Sequence, residues 1–290
     1  MGGAISGFVF DYENALAPFT VTVVTGGSSG IGKAFITLVA EANPRMVFCN
    51  LSRRAPTGLP DAVAERVLHV PCDLGKPDLR QQGAEGAIGV IRRHHYRSKI
   101  LLINNSGFGS CGFFSDAEIA AQLDMLQVNV AGMVDLTSRL LPELREHGGA
   151  IVNVASVAAF QPTPYMATYG ATKAFVLNWS LALHEELRPC RIPVQALCPG
   201  PTKTDFFLRA GFSQRVVDER LSQDADAVVR ASLRGLARGR PLVVPGWRNR
   251  LVAGVSGCVP RVLLARLSRL VLERYRLRQL GRSGASEGTK

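Results

Sequence analysis

The chain has 290 residues, of which 47% are apolar and 20% are charged, and it contains six cysteines. A chain of this length and composition can bury a large core, which excludes wholesale disorder, collagen and a small disulfide-rich scaffold. The cysteines form no C-x-x-C pair, and no Cys/His cluster has the spacing of a zinc site. We therefore expect free thiols and no bound metal.

The net charge of +11 is concentrated at the C-terminal end. Residues 248–290 contain ten basic and two acidic side chains, whereas the rest of the chain carries only +3. A basic tail favours an anionic partner, either a membrane surface or a nucleic acid. No uncharged apolar run approaches the length of about 18 residues that a spanning helix needs, and no basic residue precedes Lys33, as a secretory signal would require. The sequence predicts a cytoplasmic protein, with peripheral membrane attachment as an open alternative.

Seven short, apolar, β-branched runs alternate with longer helical stretches. The runs are continuous rather than alternating in polarity, which is typical of strands buried on both faces of a parallel sheet. Most intervening segments are long enough for crossover helices. The sequence therefore predicts a doubly wound, Rossmann-type α/β sheet of about seven strands. The predicted strands are 20–25, 46–51, 67–70, 100–104, 150–155, 192–198 and 242–245.

We divide the chain into four segments on this pattern. Residues 1–19 are an N-terminal extension, and 20–247 are the cofactor-binding catalytic domain. Residues 248–280 form a basic amphipathic helical tail, and 281–290, which are rich in Gly and Ser, are expected to be disordered.

A glycine-rich turn follows the first predicted strand. It reads Thr25-Gly26-Gly27-Ser28-Ser29-Gly30-Ile31-Gly32 and leads into a predicted helix over Ile31–Glu41. Glycines let the backbone approach a pyrophosphate, and the helix N-terminus offers free N–H groups and a positive dipole end. The G-x3-G-x-G spacing differs from the standard dinucleotide fingerprint. Its strand-turn-helix context nevertheless predicts a dinucleotide site rather than a turn without a ligand.

The end of the second predicted strand indicates which dinucleotide binds. NAD enzymes place an acid about 20 residues after the turn, where it binds the ribose 2′-OH. Here no acid occurs between Glu41 and Asp61, and Arg53 and Arg54 follow the strand instead. An arginine can pair with a 2′-phosphate. We predict NADP(H), with Arg53 as the main contact; the alternative is that both arginines are solvated surface.

Three residues suggest proton transfer to a carbon–oxygen bond. Tyr169 and Lys173 are spaced i, i+4 in a helical stretch and so share one face. Ser156 follows a predicted strand, where reacting groups lie in such sheets. An ammonium near Tyr169 is expected to lower the pKa of its phenol. The set fits hydride transfer between a nicotinamide and an alcohol or carbonyl.

Other functions fit less well. Ser156 lies in Ala-Ser-Val rather than in the G-x-S-x-G turn of a hydrolase, and His184 is explained by helix-surface polarity. A non-catalytic NADP-binding redox sensor or interaction protein would not need both Tyr169 and Lys173. A nucleic-acid binder is the weakest alternative, because few aromatic residues interleave with the tail arginines.

Taken together and in order, these motifs resemble the classical short-chain dehydrogenase/reductase family. The match includes Thr25–Gly32, the Asn104-Asn105-Ser106-Gly107 motif, Asp73-Leu74, Tyr169 with Lys173, and Pro199-Gly200-x-x-x-Thr204. Residues 153–174 and 198–206 are similar to bacterial general dehydrogenases and to very-long-chain 3-oxoacyl-CoA reductases. The resemblance implies strand order 3-2-1-4-5-6-7 and assembly as dimers or tetramers.

The resemblance also implies roles for individual residues. Tyr169 would be the acid/base, Ser156 would orient the substrate oxygen, and Lys173 would bond the nicotinamide ribose. Asn129 would hold a water of a proton relay, although it is also readable as a polar helix residue. Asn104 is assigned to bracing the sheet and Asn105 to the cofactor ribose. The full set of expected cofactor contacts is Gly26, Ser28, Ser29, Gly30, Ile31, Gly32, Arg53, Asp73, Leu74, Asn105, Gly107, Tyr169, Lys173, Pro199, Gly200, Thr202 and Thr204.

The segment after Gly200, where members of this family usually determine specificity, is apolar. It contains Phe206, Phe207, Leu208 and Phe212, and Phe160, Tyr165 and Met166 add apolar surface near Ser156. We expect a lipophilic carbonyl or alcohol substrate, such as a 3-oxoacyl chain. The alternative is that several of these side chains belong to the core.

The tail sequence Arg261–Leu280 has the pattern of an amphipathic helix. Its predicted apolar stripe is centred on Leu263, Leu267, Leu270 and Leu277, with Leu264 and Val271 at its margin. Its predicted charged face contains Arg266, Arg269, Glu273 and Arg276. Such a helix either lies on an anionic membrane through 248–280 or packs its leucines on the protein.

Overall fold

The computed structural model describes residues 11–94, 98–211 and 222–283. It contains one wholly parallel seven-stranded sheet in the order β3-β2-β1-β4-β5-β6-β7. This confirms the predicted Rossmann-type α/β fold and its strand order. The strands are β1 Phe19–Thr25, β2 Val47–Ser52, β3 Val67–Pro71, β4 Lys99–Asn104, β5 Gly149–Val154, β6 Val194–Leu197 and β7 Leu242–Val243.

Helices connect the strands on both faces of the sheet. They are α1 Asp11–Leu16, α2 Gly30–Ala42, α3 Asp61–Ala64, α4 Pro77–His94, α5 Ile119–Leu126, α6 Gly132–His147, α7 Ala167–Leu187, α8 Phe206–Arg209, α9 Ala225–Ala237, α10 Trp247–Cys258 and α11 Arg261–Ser283. A π-helical turn, Gln127–Ala131, joins α5 to α6. Single 3₁₀ turns occupy Phe114–Asp116, Val157–Phe160 and Arg188–Cys190.

The continuous apolar strands are explained by burial on both sides. On one face, Val24 and Leu101 pack with α2 and α9; on the other, Val23 and Leu102 pack with α4 and α6. Successive side chains of a strand point to opposite faces, so a strand covered on both sides has no position for a solvated residue. Among the described strands, β7 has just two residues; it lies at the edge of the sheet and pairs there with β6.

Polar side chains also brace the sheet from within. Asn104 Nδ2 donates to Thr137 Oγ1 at 2.9 Å and to Asn153 Oδ1 at 2.8 Å, and Asn153 Nδ2 donates to Ser180 Oγ at 2.9 Å. These contacts tie β4 and β5 to each other and to α6 and α7. They place Asn104 in the bracing role expected of it, and they fix the strand ends where the candidate site lies.

None of the six cysteines, all of which lie within the described residues, forms a disulfide. Burial raises the pKa of Cys49 to about 12 and that of Cys72 to about 11. The predicted free thiols are confirmed. Among the described residues, no helix combines the length and hydropathy required to cross a bilayer.

The tail folds into α10 and α11, and α11 extends to Ser283, three residues beyond the predicted helical tail. Residues 284–290 of the expected disordered end lie outside the described residues. The buried face of α11 is centred on Leu264 and Ser268, which are 7% and 6% exposed. Leu263, Leu267 and Leu270, the predicted centre of the stripe, are 47%, 48% and 54% exposed. The predicted stripe is therefore only partly on the inward side: Leu264, Leu267 and Val271 line the cleft, whereas Leu263 and Leu270 do not.

Candidate active site

A cleft of about 670 Å³ opens at the carboxyl edge of the sheet. Parallel strands end at the same edge, so residues from distant parts of the chain meet there. The cleft brings together nearly all the predicted site residues. These are Gly26, Ser28, Ser29, Gly30, Ile31, Arg53, Asp73, Leu74, Asn105, Gly107, Ser156, Tyr169, Lys173, Pro199, Gly200, Thr202 and Thr204.

The glycine turn after β1 requires its glycines. Gly26 and Gly30 have φ of 68° and 56°, in the left-handed region that glycine adopts without strain. A Cβ on Gly32 would lie 2.4 Å from the Gly26 carbonyl oxygen and 2.5 Å from Asn105 Nδ2. Gly32 is therefore beneath the turn rather than in the cleft, where it allows α2 to approach β1 closely.

The N-terminus of α2 faces the cleft without a side-chain cap. Its N-cap residue, Ser29, makes no capping hydrogen bond, so the first backbone N–H groups remain available to an anion. Asn105 Nδ2 donates to the carbonyls of Thr25 and Gly26 at 3.0 and 3.1 Å. The side-chain amide of Asn105 thus holds the turn itself. This donor set fits the pyrophosphate of a dinucleotide.

The end of β2 is tied to the same turn. Asn50 Oδ1 accepts from Gly27 N at 2.9 Å, and Asn50 Nδ2 donates to Ser52 Oγ at 2.8 Å. Ser52, Arg53 and Arg54 all line the cleft. The sequence analysis did not single out Asn50 or Ser52; the polar residues in an otherwise apolar strand were the available signal. On the other side of this region, Asp73 Oδ1 accepts from Gly75 N at 2.9 Å.

Ser156, Tyr169 and Lys173 converge beyond the end of β5. The Ser156 side chain caps the 3₁₀ turn that follows it by accepting from Ala158 N at 3.1 Å. Lys173 is buried and donates from Nζ to the Val154 carbonyl at 2.8 Å. Its Nζ lies 5.8 Å from the centroid of the Tyr169 ring.

Burial, rather than charge, controls the protonation of this pair. Desolvation raises the pKa of Tyr169 from 10.0 to about 12, with the Ser156 hydrogen bond acting in the opposite direction. Desolvation also lowers the pKa of Lys173 from 10.5 to about 8. The expectation that Lys173 would lower the pKa of Tyr169 is therefore wrong for this structure. Burial penalises phenolate and ammonium alike, and near neutral pH the phenol keeps its proton.

Asn129 lies in the π-helical turn and is buried. Its Oδ1 accepts from Phe108 N at 3.0 Å, and its Nδ2 donates to the Phe108 carbonyl at 2.9 Å and to Thr172 Oγ1 at 3.1 Å. The side chain therefore connects the loop after β4 to the helix that carries Tyr169 and Lys173. Both amide donors are engaged, which leaves only accepting capacity at Oδ1 for a water.

The loop after β6 is held by a residue that the sequence analysis did not single out. A Cβ on Gly200 would lie 2.4 Å from the side-chain amide of Asn249 in α10. Asn249 Nδ2 donates to the Pro245 carbonyl at 2.8 Å and to Gln223 Oε1 at 3.0 Å. Thr202 Oγ1 donates to the Gly200 carbonyl at 3.0 Å. The first helix of the tail thus supports the loop that carries Pro199–Thr204.

The substrate side of the cleft is apolar. Met166, Phe206 and Phe207 line it, and the rings of Tyr169 and Phe206 lie 5.2 Å apart. Three of the proposed apolar residues do not line it: Leu208 is exposed, Phe160 packs with a buried cluster on the α7 side, and the ring of Tyr165 packs against Phe113 at 5.2 Å. Phe212 lies outside the described residues.

The tail helices complete this side. Tyr165 Oη donates to Glu273 Oε1 at 3.2 Å, and Glu273 Oε2 lies 3.6 Å from Arg269 Nε, so Glu273 joins the charged face of α11 to the domain. The sequence analysis did not place tail residues in the site. Those that line the cleft are Val252, Leu264, Leu267, Ser268, Val271 and Leu272.

His184 does not reach the cleft. Its Nδ1 lies 3.2 Å from Val194 N and 2.9 Å from the Val194 carbonyl oxygen. The imidazole therefore contacts β6, and the interpretation as simple surface polarity was wrong.

The buried Lys173 should make folding stability depend on pH. Its pKa is about 8 in the folded chain and 10.5 when solvated, so the unfolded chain binds more protons between these values. The penalty of burying the charge is full below pH 8 and disappears as the pH rises to 10.5. Relative to Lys173→Met, the apo parent should gain stability across this window in denaturant titrations.

The exposed Lys76 provides the matched control. The stability difference between the parent and Lys76→Met should stay constant from pH 7 to 10.5. If the stability difference between the parent and Lys173→Met also stays constant with pH, burial of the Lys173 ammonium is contradicted.

Comparisons with known proteins agree with this geometry. A sequence model of the short chain dehydrogenase family matches residues 20–213. The chain is 30% identical over 276 residues to 11-beta-hydroxysteroid dehydrogenase-like 4A of Arabidopsis thaliana, covering 86% of this chain and 84% of that protein.

Many solved structures share the fold, and two of them illustrate the likeness. A short-chain dehydrogenase from Sphingobium yanoikuyae in complex with NADPH is 27% identical, with a TM-score of 0.68 over 94% of this chain and 96% of that one. A short chain dehydrogenase from Burkholderia cenocepacia in complex with NADP is 26% identical, with a TM-score of 0.71 over 87% and 98%. With its glycine turn and its Ser156, Tyr169 and Lys173 at one edge of the sheet, the chain belongs to the short chain dehydrogenase family of oxidoreductases.

Proposed function

We propose that the protein is an NADP(H)-dependent oxidoreductase that transfers a hydride between the nicotinamide and a lipophilic carbonyl or secondary alcohol. One observation carries the proposal: Ser156, Tyr169 and Lys173 line the same cleft as an open helix N-terminus and its glycine turn. A dinucleotide bound at the turn and an oxygen bound at Tyr169 would therefore share one enclosed space. The bound cofactor supplies the hydride.

The protein groups supply the proton and the orientation. In the reductive direction, Tyr169 Oη donates a proton to the carbonyl oxygen as its carbon accepts the hydride, and Ser156 donates a hydrogen bond to the same oxygen. The raised pKa of Tyr169 suits an acid that must hold its proton until this step. The buried Lys173, whose Nζ lies 5.8 Å from the centroid of the Tyr169 ring, would bond the nicotinamide ribose. Asn129 orders the loop at Phe108, and the family resemblance implies that it also holds a water of the proton relay.

The end of β2 supports NADP(H) over NAD(H). Ser52, Arg53 and Arg54 present a hydroxyl and two guanidinium groups to the cleft, and no acidic side chain follows this strand until Asp61. A 2′-phosphate would find charge-assisted partners here, whereas an acid would repel it. The NADPH and NADP complexes of two structural relatives are consistent with this preference.

The substrate class follows from the apolar lining. Met166, Phe206 and Phe207 with the tail residues favour a lipophilic molecule, such as a 3-oxoacyl chain. The name of the Arabidopsis relative adds a hydroxysteroid as a second class. A non-catalytic redox sensor is less well supported, because cofactor binding alone would not need both Tyr169 and the buried Lys173.

Two further parts of the proposal concern assembly and location. We propose a homo-oligomer, a dimer or tetramer, since Ile119, Leu123 and Leu126 form an exposed apolar face on α5. We also propose peripheral attachment to anionic membranes through 248–280. The outward side of the tail exposes Leu263 and Leu270 together with its arginines, a combination typical of interfacial helices.

Replacing Tyr169 with Phe tests the catalytic proposal. The change removes one hydroxyl and should lower carbonyl reduction by about 10²–10⁴-fold, with NADPH binding retained. Steady-state kinetics and fluorescence titration would measure the two effects. As a control, Tyr12→Phe removes a hydroxyl that is bonded to Arg230, away from the cleft, and should leave turnover intact. Retention of more than about a tenth of parental activity by Tyr169→Phe would refute the assignment.

Replacing Arg53 with Asp tests the cofactor preference. The parent should bind NADPH more tightly than NADH, and the variant should lose or reverse that difference, because an acid repels the 2′-phosphate. Arg93→Asp makes the same charge change on an exposed residue of α4 that does not line the cleft. It should preserve the preference. Equal affinities of the parent for both cofactors would rule the proposal out.

Vesicle sedimentation tests the membrane proposal. The parent should pellet with vesicles of anionic lipid at low salt, less at high salt, and not with zwitterionic vesicles. Leu263→Ser with Leu270→Ser should weaken the pelleting, whereas Leu79→Ser, on an exposed position of α4, should not. If the parent stays in the supernatant with anionic vesicles at low salt, the tail serves only as a packing element.

A further inference from the structure

The side chains on the inward face of α11 differ in charge from those on its outward face. It presents Leu264, Leu267, Val271 and Leu272 to the cleft, with one hydroxyl, that of Ser268, among them. The tail arginines for which side chains are described, such as Arg266 and Arg269, are exposed and do not line the cleft. Among the described side chains, α11 therefore separates an outer surface that carries arginines from a neutral, apolar inner one.

We propose that this inward face of α11 is the binding surface for the apolar body of the substrate, and that the Ser268 hydroxyl is its polar contact. The inference rests on the proposed function and deepens it. It assigns recognition of the substrate body, away from the reacting oxygen, to a helix more than 85 residues beyond Lys173 in the sequence. The ligand class is an elongated, neutral, apolar carbonyl compound with one further oxygen.

Several contacts fix α11 and its neighbour over the catalytic residues. Tyr165 Oη donates to Glu273, and Ser256 Oγ of α10 lies 3.5 Å from Gln161 Oε1. Tyr165 has φ of 66°, a left-handed conformation that is costly for a bulky side chain. That strained residue lies four positions before Tyr169. The loop that precedes the catalytic helix is thus shaped to reach α11.

Ser268 differs from the other buried serine of the tail. Ser256 donates to the Val252 carbonyl one turn earlier at 2.8 Å, as helical serines commonly do. Ser268 is only 6% exposed and lines the cleft. Within the described residues its hydroxyl has no hydrogen-bond partner. The hydroxyl oxygen is open to the cleft rather than sealed from it, so an oxygen of a bound ligand would take the place of water as its partner.

Charge disfavours an anionic group at the described part of this surface. Among the side chains that the structure describes, those that line the cleft from α10 and α11 are uncharged, and Arg209, which lines the cleft from α8, is paired with Asp205 at 3.1 Å. A phosphate or carboxylate placed against these side chains would lose its hydration and find no cation of α10 or α11 among them. The part of the substrate that contacts α11 is the neutral part.

A homologous series of ketones tests the apolar surface. With 2-butanone, 2-hexanone, 2-octanone and 2-decanone, kcat/KM of the parent should rise by roughly fourfold per added methylene until the surface is covered. Leu264→Ala should lower kcat/KM for 2-decanone by about 10-fold or more. It should leave kcat/KM for 2-butanone and the affinity for NADPH nearly unchanged. Leu263→Ala, the neighbouring outward residue, is the matched control and should follow the parent.

Equal chain-length dependence in the parent and Leu264→Ala would overturn the proposal, as would equal losses in the two leucine variants. Calorimetric binding of 2-decanone to the protein saturated with oxidised cofactor separates the two proposals, because it needs no turnover. Binding weakened by Leu264→Ala in a protein that reduces no ketone would refute the proposed function and keep the surface. Ketone turnover that does not depend on Leu264 would keep the proposed function and refute the binding surface.

The Ser268 contact is tested with 2-decanones that carry a hydroxyl at successive carbons from C5 to C10. For one hydroxyl position, kcat/KM of the parent should exceed kcat/KM for 2-decanone by about 2- to 10-fold, as expected for one hydrogen bond. Ser268→Ala should abolish that preference and leave 2-decanone unaffected. If the parent favours none of these compounds, or if the preference survives Ser268→Ala, the assignment of Ser268 is wrong.

Discussion

All seven strands run in the same direction, and the remaining structure follows from that constraint. A parallel sheet must be covered on both faces, because its connections are helices that cross back over it. It also has one edge at which every strand ends. The turn after β1, Arg53 after β2, Asn105 after β4, Ser156 after β5 and Pro199 after β6 meet at that edge. None of these residues is near the others in sequence.

Burial imposes a second constraint on the chemistry at that edge. The same enclosure that keeps water from the cleft disfavours both charged forms of the Tyr169–Lys173 pair. A phenol that keeps its proton and an ammonium that loses its proton readily are both suited to proton transfer near neutral pH. In this arrangement Ser156 is the group that moderates the effect, since its hydrogen bond lowers the pKa of Tyr169 while burial raises it.

Features encoded by neighbouring residues could be predicted from the sequence. The strand runs, the glycine turn and the i, i+4 pair of Tyr169 and Lys173 depend on local spacing, and the structure contains each of them. Strand order came from the family resemblance rather than from spacing. The position of Ser156 beside Tyr169 followed from the rule that parallel strands end at one edge.

Features that depend on distant contacts could not be predicted. An amphipathic pattern in α11 does not say what its apolar side packs against, and it groups Leu263 and Leu270, which do not line the cleft, with Leu267, which does. The protonation of Tyr169 depends on how completely the chain encloses it, which spacing does not reveal. Asn129 and Asn249 are ordinary polar helix residues in the sequence, and only the folded chain shows which backbone groups they hold.

The separation of α11 from the strand edge has a consequence for how such a protein can change. Residues around Arg53 contact the dinucleotide side of the cleft, whereas the last described helix contacts the opposite side, and the two share no hydrogen bond within the described residues. Because the helix follows the sheet in the chain, substitutions in it leave the strand connections intact. If α11 binds the substrate body as proposed, exchange of this one C-terminal segment would be a modular route to new substrates that keeps the redox chemistry of the sheet edge.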